Sequence, residues 1–538
     1  MTPTKEDQAL DTTLTRNDDF ASAYCFISHD KVNLVPITAD LDDSETATTV
    51  TNPSSTVPPI ITVDQSIDRE EIADHADFTP DKLYLKNRNL LYSLNNPTLS
   101  DVEGEPNSVP STSKDFPSPS TSPPSSSSAS SLLNEKNVQV SAPAVFLPKL
   151  VINLEDNLKT DFKDLKELLL KIFPNWNNVD NITLSQLTGG ITNMLLSCKY
   201  ADSEPVLIRV YGHGTNLIID RHREFISHLI LNSIGLAPPV YSRFKNGMIY
   251  GFLDGRSLQP EELSKPALYP LIAQQLGNLH KKVDYRLIES GIEKIRTLKL
   301  GIRRRRSSSS SISFKKKPSQ KKKFISNIWE LLDDWISIVP LNPDLISSFQ
   351  QNLKDGTIVT EENLKDIIKE EFAWLQNQVT TAVNSPVVSS HCDLLSGNII
   401  IPKNFAFDDI EKLPSIETNP IKFIDYEYML PAPRAFDIAN HLAEWQGFNC
   451  DRSAIPEPSI NNPTLVNWCK GYLNNFDAPL EEIESLIGEI KTYYGLPGFY
   501  WGIWAMIQSE LSNIDFNYSN YGKLRLEEYW QWKNDFLK

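Results

Sequence analysis

One stretch limits this chain more than any other: Ser390-His391-Cys392-Asp393-Leu394-Leu395-Ser396-Gly397-Asn398-Ile399-Ile400-Ile401, followed by Phe423-Ile424-Asp425-Tyr426-Glu427-Tyr428. The apolar runs Ile399–Ile401 and Pro420–Ile424 read as two short buried strands, so the polar residues beside them are held at fixed points. Phosphoryl transfer asks a protein for a carboxylate beside the acceptor hydroxyl and oxygen ligands for Mg²⁺, and for little other covalent work. Asp393 would accept the hydroxyl proton, while the amide oxygen of Asn398 and the carboxylate of Asp425 would hold the metal. The plainer alternative is that Asp393 and Asn398 only cap turns between the strands. It requires three metal-competent positions and two strands to coincide by chance.

Composition divides the 538 residues. Residues 104–143 are so rich in Ser and Pro that they cannot bury enough apolar surface to offset chain entropy. Residues 1–103 are acidic and Thr/Ser-rich, and apolar patches such as Ala23–Ile27 look too short to make a core. The expected division is a disordered tail over 1–141, an N-lobe over 142–257 and a C-lobe over 258–538. The formal charge of −17 argues against nucleic acid as a partner. Five cysteines, scattered and never spaced as Cys-x-x-Cys, suggest neither a disulfide framework nor a zinc site. With no apolar leader at the start and no run of about 18 apolar residues, a soluble protein of a reducing cytoplasm is expected.

From residue 161 the order of segments carries meaning. An amphipathic helix with Phe162, Leu165, Leu169 and Ile172 on one face ends at Pro174. Then come a strand, the loop Thr188-Gly189-Gly190-Ile191-Thr192-Asn193, and a second strand. Glycines there would let backbone N–H groups, with Thr192 and Asn193, approach phosphate oxygens, although a Gly-Gly hairpin can equally be only a turn. The next strand, Val206–Tyr211, carries Arg209 among aliphatics. Arg209 would reach nucleotide phosphates braced by Glu224 from a following helix, or else point to solvent from an edge strand. Met248–Gly255 would be the hinge, against which adenine could stack. Strand, Gly loop, cationic strand, acidic helix and later His-x-Asp is the order of an α+β bilobal, protein-kinase-like fold with a small β-rich N-lobe and a larger helical C-lobe.

The segments Leu187–Asn193, Leu207–Gly212, His391–Asn398, Phe423–Tyr428 and Phe436–Trp445 together resemble the choline/ethanolamine kinases, over roughly Pro148 to the C-terminus apart from a basic insert. The resemblance implies transfer of phosphate from ATP, with Mg²⁺, to a small amino alcohol. It makes Asp393 the base, Asn398 and Asp425 the magnesium ligands, and Arg209 the phosphate-binding cation. Where the family usually has Asn between His and Asp, this chain has Cys392, whose thiol would hold the loop less well.

Glu444-Trp445 on a helical pattern and the patch Phe499–Trp504, backed by Phe516 and Tyr521, would attract an ammonium by cation–π interaction and one carboxylate. Read alone, the patch is more readily an aromatic core. The resemblance assigns Glu444, Trp501, Trp504, Phe516 and Tyr521 to the amine pocket, with Trp445 beside them. Gln446-Gly447-Phe448-Asn449 is nearer the ethanolamine branch, so the expectation is an ethanolamine kinase feeding the CDP-ethanolamine route to phosphatidylethanolamine, with choline second and a homodimer as its assembly. The insert, residues 301–323, places Arg303–Arg306 before Ser307 and Ser308. That pattern suits a basophilic protein kinase, and the basic run suits weak contact with anionic membrane.

Overall fold

Period-two patterning in the first part of the chain becomes an eight-stranded sheet in the computed structural model, which describes residues 22–28, 31–36, 143–173, 175–188, 193–212, 215–297, 325–354, 356–408, 410–512 and 514–537. In chain order the N-lobe comprises β1 (Ala23–Ser28), β2 (Lys31–Pro36), β3 (Ala144–Leu147), α1 (Leu154–Lys159), α2 (Lys163–Ile172), β4 (Ile182–Thr188), β5 (Asn193–Tyr200), β6 (Val206–Tyr211), α3 (Arg221–Ser233), β7 (Val240–Phe244) and β8 (Gly247–Gly251). The sheet order is β2-β1-β3-β7-β8-β6-β5-β4. β3 runs parallel to β7 and the other neighbours are antiparallel. Along β6, Val206, Ile208 and Val210 are buried in one cluster with Leu165 and Leu169 of α2, which puts Arg209 on the opposite face. Helix α3 starts where the Asp220 side chain accepts from the His222 and Arg223 N–H groups, and it buries Phe225, Ile226 and Leu229.

The first two strands correct the expected tail. Residues 23–36 belong to the N-lobe sheet, with Ala23 opposite Phe146 and Cys25 opposite Ala144. Ala23, Cys25, Ile27 and Val32 are buried in one cluster with Phe225, Ile226 and Ile292. A hairpin this short makes no core of its own, but it adds to an existing sheet edge and closes over helices already present. The short apolar run Ala23–Ile27 was the local trace of this, set in a segment of tail-like composition.

The C-lobe comprises β9 (Arg256–Ser257), α4 (Tyr269–Lys282), α5 (Tyr285–Thr297), α6 (Ile328–Ile338), α7 (Pro343–Asn352), α8 (Glu361–Ala382), β10 (Val387–Ser390), β11 (Ile399–Ile401), β12 (Lys422–Phe423), β13 (Leu430–Pro433), α9 (Arg434–Ala443), α10 (Pro463–Tyr472), α11 (Leu480–Tyr493), α12 (Leu496–Leu511) and α13 (Tyr518–Phe536). Among the helices, β12, β11 and β9 form a three-stranded sheet and β10 pairs with β13. The crossover between lobes turns at Gly255, φ 144°, where a Cβ would stand 2.5 Å from Ile400 Cγ2 and 2.6 Å from the Ile401 carbonyl oxygen. Only glycine fits that approach. The two short strands read around Asn398 and Asp425 are present, and so is the bilobal α+β architecture. No helix among the described residues is long and apolar enough to cross a membrane, and the described cysteines are free thiols.

Candidate active site

The loop between β10 and β11 is held from beneath by one buried carboxylate. Asp437, on α9, accepts the backbone N–H of His391 and that of Cys392 at 2.8 Å each, and lies 2.8 Å from His280 Nε2. Burial disfavours its charge, but the His280 bond, the nearby His280 and His391 rings and the Cys392 N–H outweigh this and hold it below the usual carboxylate range. His280 in turn meets the Tyr472 hydroxyl at 2.8 Å, the structural role expected of a lone histidine at a helix end. The His391 ring, kept neutral by burial, reaches the Ile424 carbonyl at 3.1 Å and ties the two halves of the motif together.

Cys392 sits at φ 62°, a left-handed conformation that Asn adopts more readily than most residues. Its thiol donates only weakly, to the Ser390 carbonyl at 3.6 Å, and burial pushes it far up into the neutral form. The backbone makes up the deficit. Besides the Asp437 bond, the Cys392 carbonyl accepts from Asn440 Nδ2 at 2.9 Å, and Asn440 Oδ1 accepts from Trp501 Nε1 at 2.8 Å. The substitution therefore leaves the loop fixed on both sides.

Asn398 Nδ2 donates to the Asp393 carbonyl at 2.8 Å and to its carboxylate at 3.0 Å, which orients the carboxylate. Asp425, also left-handed at φ 62°, lies 2.9 Å from Arg209 Nη1. Arg209 reaches Glu427 at 3.4 Å and Glu224 at 3.6 Å, and Arg221 Nη1 meets Glu224 and Glu427 at 3.0 and 2.9 Å. Two guanidinium groups thus share three carboxylates across both lobes. Burial works against each charge, yet Asp425 and Glu427 keep Arg209 firmly protonated, and Arg209 and Arg221 hold Glu427 below the usual carboxylate range. The Arg209–Glu224 brace is present as expected. Arg221 and Glu427 were missed, although Arg221 stands three residues before Glu224, the spacing at which helical side chains meet.

These groups open into a cavity of about 240 Å³ lined by Asp393, Asn398, Asp425 and Glu427 at one end and by Glu444, Phe448, Trp501, Trp504, Phe516 and Tyr521 at the other. The Trp501 and Trp504 rings meet edge to face at 5.3 Å, and Trp504 Nε1 donates to the Tyr428 hydroxyl at 2.8 Å. Phe516 and Tyr521 lie 5.5 Å apart, with Phe448, unforeseen as a wall residue, against both. Glu444 is buried and accepts from Arg525 at 2.8 Å. Trp445 is a correction: it is absent from the cavity wall and packs in the core beside Tyr269 and His441. Glu444 and Trp445 are successive residues of one 3₁₀ turn, so their side chains leave it in different directions. Gly189, Gly190 and Thr192 lie outside the described residues, as do Ser307 and Ser308; Asn193 is described only as the first residue of β5.

A β-rich lobe over a helical lobe, with an anchored His-x-Asp loop and a second aspartate facing it, defines a kinase-like phosphotransferase. Residues 184–530 match the family model described as choline/ethanolamine kinase, and the chain belongs to that family. It is 28% identical over 395 residues to ethanolamine kinase 1 of Mus musculus, covering 72% of this chain and 94% of that one. It is 30% identical over 374 residues to a probable ethanolamine kinase of Arabidopsis thaliana, covering 68% and 83%. A Plasmodium vivax ethanolamine kinase structure superposes with a TM-score of 0.50 at 28% identity, over 71% of this chain and 90% of that one.

Proposed function

We propose that the chain phosphorylates the hydroxyl of ethanolamine at the expense of ATP. The observation that carries this reading is the single cavity joining Asp393 to Glu444 and its aromatic wall, in a chain whose relatives are ethanolamine kinases. A small amino alcohol needs its ends held differently, a carboxylate and ring faces for the ammonium and a base for the hydroxyl. Asp393, oriented by Asn398, takes the hydroxyl proton as the oxygen attacks phosphorus. Glu444 and the Trp501/Trp504 wall hold the ammonium, while Phe448, Phe516 and Tyr521 keep water from it. Three N–H donors on ethanolamine favour a site with a carboxylate at its end, and three methyls on choline would rely more on the rings.

The residues present fit the two groups the family implies. Asn398 and Asp425 offer oxygen donors on one cavity wall, and Arg209 stands beside them. Mg²⁺ takes one or two protein ligands and completes its shell with phosphate and water. Bound there, Mg²⁺ would neutralise phosphate charge as it develops. Arg209 would release Asp425 to the metal and pair with phosphate, with Glu224 and Glu427 keeping it placed. Purified chain incubated with labelled ATP and either ethanolamine or choline at equal concentration tests the reading. Labelled phosphoethanolamine in excess is expected, and product from choline alone would overturn it.

The basic insert carries a separate proposal, that Ser307 and Ser308 are modified by a basophilic protein kinase and that the insert attracts anionic headgroups until they are. Sedimentation with anionic vesicles before and after phosphorylation, and after deletion of residues 303–323, tests it. Binding that deletion leaves unchanged would end it.

A further inference from the structure

Behind Glu444 stands an arginine that the family motifs do not involve. Arg525, on α13, has no exposed surface. Its Nη1 donates to Glu444 Oε1 at 2.8 Å and to the Tyr521 hydroxyl at 3.1 Å, and its Nε lies 3.1 Å from Glu528. The same Glu528 oxygen, Oε2, accepts from Gln446 Nε2 at 2.8 Å. Nη1 therefore holds both a residue of the cavity wall and the carboxylate facing the cavity, and a second carboxylate stands beside Nε.

A buried cation is costly unless its neighbours compensate it, so a wholly buried arginine at this place calls for a reason. Without it Glu444 and Glu528 would face each other in a poorly solvated space, where two carboxylates cannot both stay charged. A carboxylate pair that has taken up a proton is a poorer partner for an ammonium. We infer that Arg525 is a positioning residue for the amine substrate: it holds Glu444 aimed into the cavity beside a fixed counter-charge, and through Tyr521 fixes the neighbouring wall. This deepens the ethanolamine-kinase reading and rests on it. The charged and titratable groups around Glu444 are Arg525, Glu528 and Tyr521 on α13 and, from the segment after α9, Cys450. Burial raises Glu528 above the usual carboxylate range, and Arg525 works against that rise.

The test is steady-state kinetics of the full chain between pH 6.5 and 8.5, varying ethanolamine and ATP separately, for wild type, Arg525→Met and Arg525→Lys. Arg525→Met should raise KM for ethanolamine by about 30-fold or more at pH 6.5, with much of the loss regained at pH 8.5 and KM for ATP unchanged. Arg525→Lys keeps the charge but not the fork. Its KM for ethanolamine should rise about 3- to 10-fold, evenly across the pH range. Should Arg525→Met not fold, the lysine variant and its flat pH profile still decide the matter. An ethanolamine KM equal to wild type in a folded variant, or one that rises in step with the ATP KM, would overturn the inference. Failure of the substrate reading looks different, because wild type would then make no phosphoethanolamine at any pH.

Discussion

The two ends of the cavity balance charge in opposite ways. At the phosphate end Arg209 keeps some exposure, and its partners Glu224, Asp425 and Glu427 come from both lobes. At the amine end Arg525 is sealed, and Glu444, Glu528 and Tyr521 all belong to the C-lobe. The first arrangement is exchangeable, since Asp425 and Arg209 each pair with the other in the chain alone and would each take a new partner when nucleotide and metal arrive. The second is permanent. On the proposed function, an end that binds and releases a multiply charged molecule keeps its counter-ions in play, whereas an end that receives one small cation has its anion fixed in advance.

Changing Asp393, which serves both ends, should have the largest effect. Asp393→Asn should cost about 4 kcal/mol or more of transition-state stabilisation, roughly a thousandfold in kcat, with the melting temperature unchanged. Turnover near wild type would remove Asp393 as the base. Asp437→Ala should show whether both ends depend on the loop beneath them. It leaves buried donors without an acceptor and should lower stability by about 3 kcal/mol, measured by urea unfolding. The pH sign follows from its depressed folded value: the stabilisation is complete above the usual carboxylate pKa of about 3.9 and is lost as pH falls through the lower folded value. Asp437→Asn should flatten that acid limb.

Arg209→Met separates the ends. KM for ATP should rise by about 10- to 100-fold, with KM for ethanolamine within about twofold, and equal shifts would mean that the ends are not independent. The smallest change is expected of Trp504→Ala, about 1 kcal/mol in KM for choline and less for ethanolamine, because a methylated head depends more on ring contact. Equal losses on both amines would make Trp504 a packing residue only.

Much of the phosphate end was legible because its residues are contiguous and bounded by apolar runs: His391–Ile401 and Phe423–Tyr428 announce strand, loop and strand, and the structure delivers them. The bilobal order of elements was legible for the same reason. Trp445 misled, since a neighbour of Glu444 in sequence leaves a tight turn on another side. Arg525 was invisible: it lies in Lys523-Leu524-Arg525-Leu526-Glu527-Glu528, where nothing local separates a sealed guanidinium from a surface one. Its burial depends on where α13 crosses the segment after α9, which is tertiary information. The amine pocket could be assigned only through the resemblance, since an aromatic patch on one helix reads more readily as core.

The hairpin β1–β2 has a consequence for how the chain is made. It leaves the ribosome before its partners, since the strand it pairs with begins at Ala144 and α5, which Val32 touches beside Gly291, ends at Thr297. At ordinary rates of synthesis it waits roughly ten to fifty seconds for its partners. Throughout that time it carries an unpaired edge and a bare apolar face, the features by which strands of different chains find one another. A hazard of association between copies therefore falls during translation, in the interval between the making of this hairpin and the making of the elements that cover it.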